Sequence, residues 1–228
     1  MNDESQSRQR QWRFTQLTLF LWGWMLIAPR LQDRWLVQAL LQVLLLNALL
    51  MTLRANPEWK GFRGALIGLW ALALAGTVFA FAPIPAAWQS LANDIETISA
   101  LPLLAMLAAG ILRFVYRSQR LTVDGILASV AVYIIIALAF AQTYVLLVGW
   151  DPQSFVMPVP VGERSRHLLQ TDMMYYSLIT QCSVGYGDIL PRSDTARMIA
   201  VTQAVVGQFY MAVVVAVFVG MYASRRRN

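Results

Sequence analysis

The sequence predicts an all-α membrane protein with six membrane-spanning helices. Of its 228 residues, 58% are hydrophobic and only 13% are charged, whereas soluble domains carry about 25% charged residues. Five apolar runs contain no Asp, Glu, Lys, Arg or His, and each approaches or exceeds the roughly 20 residues that cross a bilayer as a helix. These runs are residues 35–53, 64–83, 97–112, 125–149 and 198–224.

A sixth apolar segment near the N-terminus, Phe14 to Ala28, is shorter and is closed by Pro29. It reaches across a bilayer only if the helix stands nearly upright with Trp12 and Arg13 at the headgroups. Without this span, the basic residues on both of its sides would lie together on the outer face of the membrane. The charge distribution therefore favours a sixth span.

Lysine and arginine residues are concentrated in alternate loops. Twelve lie before the first span, between the second and third, between the fourth and fifth, and after the last, against six in the other loops. The positive-inside rule then places both termini in the cytoplasm of a cell whose inner (plasma) membrane holds the protein. The twelve are Arg8, Arg10, Arg13, Arg54, Lys60, Arg63, Arg113, Arg117, Arg120 and Arg225 to Arg227.

The net charge of +6 arises from these short clusters at helix ends. A nucleic-acid-binding protein would instead present basic residues along one face. The pattern therefore predicts contact with membrane lipids and no nucleic-acid partner.

The loop between the last two spans, residues 149–194, contains a short apolar helical stretch from Asp172 to Cys182. Thr171 is its predicted N-cap, because a threonine hydroxyl can accept a hydrogen bond from an early helix amide. The stretch is too short to cross a bilayer, and non-helical backbone at membrane depth must be buried in protein or line a water-filled path. The loop therefore predicts a re-entrant helix that lines a pore.

The re-entrant stretch is followed at residues 183–188 by the sequence SVGYGD. It resembles the potassium-channel signature Thr-Val-Gly-Tyr-Gly-Asp, with serine in place of the first threonine. The resemblance implies a potassium-selective homotetramer in which K⁺ binds backbone carbonyls in a selectivity filter, and no cofactor other than those ions. By this resemblance the ligands come from Ser183, Val184, Gly185 and Tyr186, while Gly185 and Gly187 allow the unusual backbone.

The resemblance extends to residues that would support the filter. Tyr175 and Tyr176 occupy positions where many family members carry a Trp-Trp pair, which implies an aromatic cuff. Asp188 is implied to brace the filter or to attract cations at the outer mouth. Ile179 stands where some bacterial channels place a buried glutamate, so that carboxylate network is absent here.

The last span contains a candidate gating residue. Gly207 follows Gly187 by twenty residues, the position of the inner-helix hinge in bacterial potassium channels. A glycine needed for close helix packing is the alternative explanation. Helical phase leaves open whether Gln203 and Gln208 face the pore or a neighbouring helix.

The chain divides by this comparison into four segments. Residues 121–224 resemble a pore domain made of an outer helix, a pore helix, a filter and an inner helix. Residues 14–120 match the voltage-sensor-like four-helix domain of six-helix channels only in helix count and order. Residues 1–13 form a cytoplasmic N-terminal segment, and residues 225–228 form a basic C-terminal tail.

Strong voltage sensing is not predicted. The fourth span, residues 97–112, contains no arginine, whereas a voltage sensor moves several charges through the membrane field. Arg113, Arg117 and Arg120 share one helical face but follow the apolar run. Their positions indicate cytoplasmic headgroups rather than the membrane interior.

Other function classes fit the composition less well. One histidine, one cysteine and no carboxylate inside an apolar run leave no acid–base pair or metal cluster for an enzyme. A secondary transporter would show intramembrane ionisable residues or paired broken helices. Two alternatives stay open: a weakly selective monovalent cation channel, and a non-conducting subunit that needs a partner.

Overall fold

A computed structural model describes residues 13–27, 34–82, 85–117, 122–159 and 165–225. Within these ranges the chain forms seven helices and two short strands. In chain order they are α1 (Arg13–Ile27), α2 (Arg34–Ala55), α3 (Lys60–Phe81), α4 (Ala86–Arg117), α5 (Val123–Trp150), β1 (Phe155–Val156), α6 (Arg166–Gln181), β2 (Leu190–Pro191) and α7 (Asp194–Arg225).

Five helices of the described ranges are long and apolar enough to cross a membrane: α2, α3, α4, α5 and α7. The five predicted apolar runs are thereby confirmed as helices. Helix α1 has only 15 residues, about 22 Å at about 1.5 Å per residue, against a hydrocarbon core of about 30 Å. Apart from two strands of two residues each, the chain is an all-α multi-pass membrane protein.

Contacts between helix ends align the helices in one bundle. At one end the ring of Phe14, at the start of α1, lies 4.8 Å from the ring of Phe114, near the end of α4. At the other end the Gln38 amide, near the start of α2, donates to Gln170 of α6 at 2.8 Å. The starts of α1 and α2 therefore lie at opposite ends of the bundle.

The start of α1 is capped by a carboxylate from another helix. Asp124, buried in the first turn of α5, accepts hydrogen bonds from the backbone amides of Phe14 at 2.9 Å and Thr15 at 3.0 Å, and from the Thr15 hydroxyl at 3.2 Å. The first amides of a helix lack intrahelical acceptors and carry partial positive charge. Asp124 therefore fastens α1 to α5.

Acidic residues also lie inside the helices, outside the uncharged apolar runs. Helix α4 begins at Ala86 and includes Asp94 and Glu96, of which Glu96 is buried. The apolar run from residue 97 marked only the uncharged part of this helix. The polar turns before it also belong to the helix.

Asp124→Ala is expected to lower the free energy of unfolding by about 2 kcal/mol, because three donors lose their shared acceptor. Thermal unfolding of the purified protein in detergent measures this loss. The matched control is Asp194→Ala, whose carboxylate is fully exposed at the start of α7 and whose loss should leave the unfolding temperature close to that of wild type. Similar losses in both variants would contradict the capping role.

The re-entrant helix is longer than the sequence predicts. Helix α6 starts at Arg166, with Ser165 in the N-cap position, and ends at Gln181. Thr171, the predicted N-cap, therefore lies inside the helix. The prediction failed because Arg166, His167 and Gln170 interrupt the apolar pattern of the first turns, although Leu169 there is buried.

Helix α6 packs between α5 and α7, and a small sheet positions the segment that comes after α6. Strands β1 and β2 pair antiparallel, with Phe155 opposite Pro191 and Val156 opposite Leu190. The segment 182–189 is therefore held at two points, the end of α6 and strand β2.

Helix α7 is covered least by the rest of its own chain. Only 6% of its span is buried, against 50% for α2 and α4 and 56% for α5. Most of its apolar surface is therefore left for lipid or for other subunits.

Candidate ion-conducting site

The backbone of residues 183–188 alternates in handedness. The φ angle is +57° at Ser183, +55° at Gly185 and +83° at Gly187, whereas Val184 and Tyr186 have negative φ. Alternation of this kind turns successive peptide groups the same way, so that their polar atoms converge on one side. Glycine adopts left-handed backbone readily, but Ser183 does so at a cost of about 1–2 kcal/mol.

Hydrogen bonds to the last turn of α6 hold the start of this segment. The amide of Ser183 donates to the carbonyl of Thr180 at 3.0 Å, and the amides of Val184 and Gly185 donate to the carbonyl of Ile179 at 2.8 and 3.3 Å. These contacts offset the strain at Ser183. The C-terminal end of a helix also carries partial negative charge, so the end of α6 favours a cation nearby.

A buried network of side chains joins α5, α6 and α7 behind the segment. Gln203 of α7 is fully buried, and its amide nitrogen contacts the Ser177 carbonyl at 3.0 Å, the Ser177 hydroxyl at 2.6 Å and the Gln181 side-chain oxygen at 3.2 Å. The Tyr144 hydroxyl donates to the Gln203 oxygen at 2.7 Å. Gln203 is therefore bonded through both its nitrogen and its oxygen.

Gln181, the last residue of α6, is the meeting point of the three helices. Its amide nitrogen donates to the Tyr133 carbonyl at 2.7 Å, and the Tyr133 hydroxyl donates to the Gln181 carbonyl at 3.0 Å. A Cβ atom added to Gly207 would lie 2.7 Å from the Gln181 carbonyl oxygen and 2.7 Å from its Cγ. Gly207 thus has a packing reason to be glycine, and its role as a hinge stays a prediction.

The two tyrosines predicted to form a cuff contact different neighbours. Tyr176 is buried, and its ring meets those of Tyr144 at 5.1 Å and Phe155 at 5.2 Å in edge-on geometry. Tyr175 is partly exposed, and its hydroxyl lies near the Asp188 carboxylate. Tyr175 therefore lies beside Asp188, while Tyr176 packs α6 against α5.

Sequence reasoning gave no role to Gln203 or Gln208, although both contact the segment or its support. The Gln208 amide nitrogen lies 2.7 Å from the Ser183 hydroxyl oxygen, and Gln208 is exposed whereas Gln203 is buried. The available signal was the presence of two amides in an otherwise apolar span. The two glutamines are five residues apart and therefore lie on different faces of α7. Helical phase alone does not say which of these faces is buried.

The basic residues at the end of α4 pair with an acid in the α2–α3 loop. Arg113 binds the Glu58 carboxylate at 3.2 Å, and Arg117 bonds to the same oxygen. The pKa of Glu58 lies below its ordinary value, first because its own backbone amide bonds the carboxylate and then because Arg117 and Arg113 lie beside it. Arg120 lies outside the described residues.

The segment 183–188 offers oxygen atoms mainly from its backbone. Across the ranges that the structure describes, no three His, Cys, Asp or Glu side chains group together as a metal site would require. Cys182 is exposed at the end of α6. The oxygens that the segment 183–188 can offer are therefore its carbonyls, the Ser183 hydroxyl and the Asp188 carboxylate at the outer end.

Comparison with known proteins agrees with this geometry. Residues 127–224 match a family model described as "Ion channel". The chain is 34% identical over 101 residues to Protein LctB of Bacillus caldotenax and 32% identical over 101 residues to Protein LctB of Geobacillus stearothermophilus, in each case covering 44% of this chain and 75% of the relative.

A plant protein is similar over a shorter region. The chain is 36% identical over 78 residues to two pore potassium channel a of Oryza sativa subsp. japonica, which covers 34% of this chain and 21% of that protein. No solved structure shows significant similarity to the chain. The family match begins within α5 and includes α6, the segment 183–188 and nearly all of α7.

Proposed function

From the premise that this chain belongs to the potassium channel superfamily and is a channel rather than an enzyme, we propose that it is one subunit of a homotetrameric, K⁺-selective channel. The alternating backbone of residues 183–188 carries the proposal. Four such segments around one axis would form rings of carbonyl oxygens that replace the hydration shell of K⁺. The ion ligands are the carbonyls of Ser183, Val184, Gly185 and Tyr186.

Assembly into a tetramer is supported by surfaces that one chain leaves uncovered. Val184 and Tyr186 are 51% and 73% exposed, although large apolar side chains are usually buried. The span of α7 is only 6% buried. Identical neighbours around a symmetry axis would cover these side chains and leave the carbonyls facing the axis.

Six spans with both termini in the cytoplasm are proposed for each subunit, with residues 14–120 as a peripheral domain and 121–224 as the pore domain. The position of α1 supports the sixth span. At its start the amides of Phe14 and Thr15 are bonded to Asp124. Near its other end Trp24 and Met25 line the same cavity as Gln38 and Gln170. Helix α1 therefore runs from one end of the bundle to the other.

Weak voltage dependence is proposed on the placement of the arginines. Arg113 and Arg117 lie in the last two turns of α4 and are already paired with Glu58 outside the span. Steep voltage dependence requires several charges per subunit to cross the field. Open probability in planar bilayers should therefore change little with voltage, and a steep dependence would contradict this assignment.

The decisive experiment measures ion flux into liposomes that contain only this purified chain, with the tetrameric mass checked by light scattering. Flux of K⁺ that is blocked by Ba²⁺ and absent with Na⁺ is expected. Equal Na⁺ flux would favour a weakly selective cation channel, an alternative that the strained Ser183 backbone keeps open. A tetramer that passes neither ion would indicate a non-conducting subunit.

Gly185→Ala is expected to reduce K⁺ flux at least about tenfold, because four strained alanines of about 1–2 kcal/mol each would distort the filter. Gly149→Ala serves as the matched control, since Gly149 has no atom within 4 Å of an added Cβ and no left-handed backbone. Normal flux is expected from the control. Normal selective flux from Gly185→Ala would contradict the assignment of the filter.

A further inference from the structure

We propose that Gln208 is a positioning residue that orients the Ser183 hydroxyl toward the innermost ion site, a proposal that rests on the function proposed above. The side-chain nitrogen of Gln208 lies 2.7 Å from the Ser183 hydroxyl oxygen. The two residues belong to different parts of the pore, the inner helix α7 and the first position of the filter. The contact therefore links the innermost ion ligand directly to the inner helix.

Serine at this position needs an external restraint. Threonine is stiff at χ1 because two heavy atoms branch from its Cβ, whereas serine moves among three staggered rotamers. A hydroxyl that changes rotamer does not present a fixed lone pair to an ion. Donation from Gln208 selects the rotamer that Ser183 adopts here.

The hydrogen-bonding capacity of serine allows both contacts at once. A hydroxyl oxygen has two lone pairs and one proton. The amide of Gln208 occupies one lone pair of Ser183, and the second remains available to a cation below the carbonyl rings. Gln208 itself is exposed, as expected for a side chain in the water-filled cavity of the assembled pore.

The packing of α7 explains why Gln208 can reach the filter. The neighbouring Gly207 lies against the carbonyl of Gln181, so close that no Cβ fits between them. Gln203, just over one helical turn before Gln208, fixes α7 to Ser177. These two contacts bring this turn of α7 beside the base of the filter and leave Gln208 within hydrogen-bonding distance of Ser183.

A double-mutant cycle tests the proposal with Gln208→Met, Ser183→Thr and the combined variant. Methionine keeps the length of the side chain but cannot donate. The probe is Ba²⁺, which has nearly the radius of K⁺ and twice its charge, so that its binding is more sensitive to the orientation of oxygen dipoles. Two readouts are recorded: the Ba²⁺ concentration for half-maximal thermal stabilisation in detergent, and that for half-block of flux.

Gln208→Met is expected to raise both concentrations about fivefold with Ser183 present, and by less than about twofold with Ser183→Thr, because the threonine methyl group restores the rotamer. Thr202→Val on the same helix, whose hydroxyl bonds only its own helix at the Met198 carbonyl, should change neither. The variants should keep their tetrameric mass.

Equal effects of Gln208→Met in both backgrounds would overturn the proposal, because Gln208 would then act through the cavity rather than through the hydroxyl. Absence of any effect would overturn it as well. The thermal readout does not require conduction. If the effect of Gln208→Met on Ba²⁺ stabilisation depends on Ser183 but the protein passes no ions, the inference is supported and the proposed function is contradicted. Wild-type protein that Ba²⁺ does not stabilise would count against both.

Discussion

Gln203→Leu is expected to lower the free energy of unfolding by about 4 kcal/mol per subunit and to prevent stable assembly of the pore. Leucine leaves the buried Tyr144 hydroxyl and the Gln181 side-chain oxygen without their Gln203 partner, whereas the Ser177 hydroxyl keeps its bond to the Ala137 carbonyl at 2.6 Å. Each buried polar group without a partner costs about 1–3 kcal/mol. Thermal unfolding and the yield of tetramer by size-exclusion chromatography measure the effect.

Two companion variants separate the network from general effects of removing an amide. Gln153→Leu removes an exposed amide from the loop after α5 and should leave stability within about 0.5 kcal/mol of wild type. Tyr144→Phe removes the Tyr144 hydroxyl, one of the groups that Gln203→Leu would leave without a hydrogen-bond partner. The combined variant should therefore be more stable than the sum of the two single losses predicts, and strict additivity would contradict a shared network.

Gly207→Ala is the second large effect expected, a loss of about 3 kcal/mol per subunit together with a fall in K⁺ flux. The added Cβ would meet the Gln181 carbonyl oxygen and Cγ at 2.7 Å, and overpacking of this kind costs about 1–3 kcal/mol. Gln181 ends the helix that holds the filter. Separation of α6 from α7 would therefore loosen the filter as well as the fold.

Stability distinguishes packing from a hinge at Gly207. Alanine has a higher helix propensity than glycine by about 1 kcal/mol, so loss of a hinge alone would leave unfolding unchanged or slightly harder while reducing flux. If the added Cβ instead disrupts packing, both the free energy of unfolding and the K⁺ flux should fall. Gly220→Ala is the control on the same helix, since a Cβ added there has no described atom within 4 Å outside its own turn of helix, and it should not destabilise the protein.

Features that depend on local chemistry can be predicted from the order of residues alone. The five long spans follow from uncharged apolar runs, because the bilayer excludes charge over a fixed thickness. The segment 183–188 could be located because its residues resemble the potassium-channel signature, and the two glycines of that signature suit the positive φ found at Gly185 and Gly187. Both requirements act on residues close together in the chain, so the order of residues is enough to reveal them.

Contacts between residues far apart in the chain could not be predicted and become visible only in the folded protein. Asp124 caps the start of α1 through the amide of Phe14, 110 residues earlier in the chain, and Gln203 meets Ser177 and Tyr144 from another span. A polar side chain in an apolar span can face a pore, a neighbour or its own backbone, and the helical period is compatible with each. The choice depends on which donors and acceptors the packed helices bring within about 3 Å, and no local pattern contains that distance.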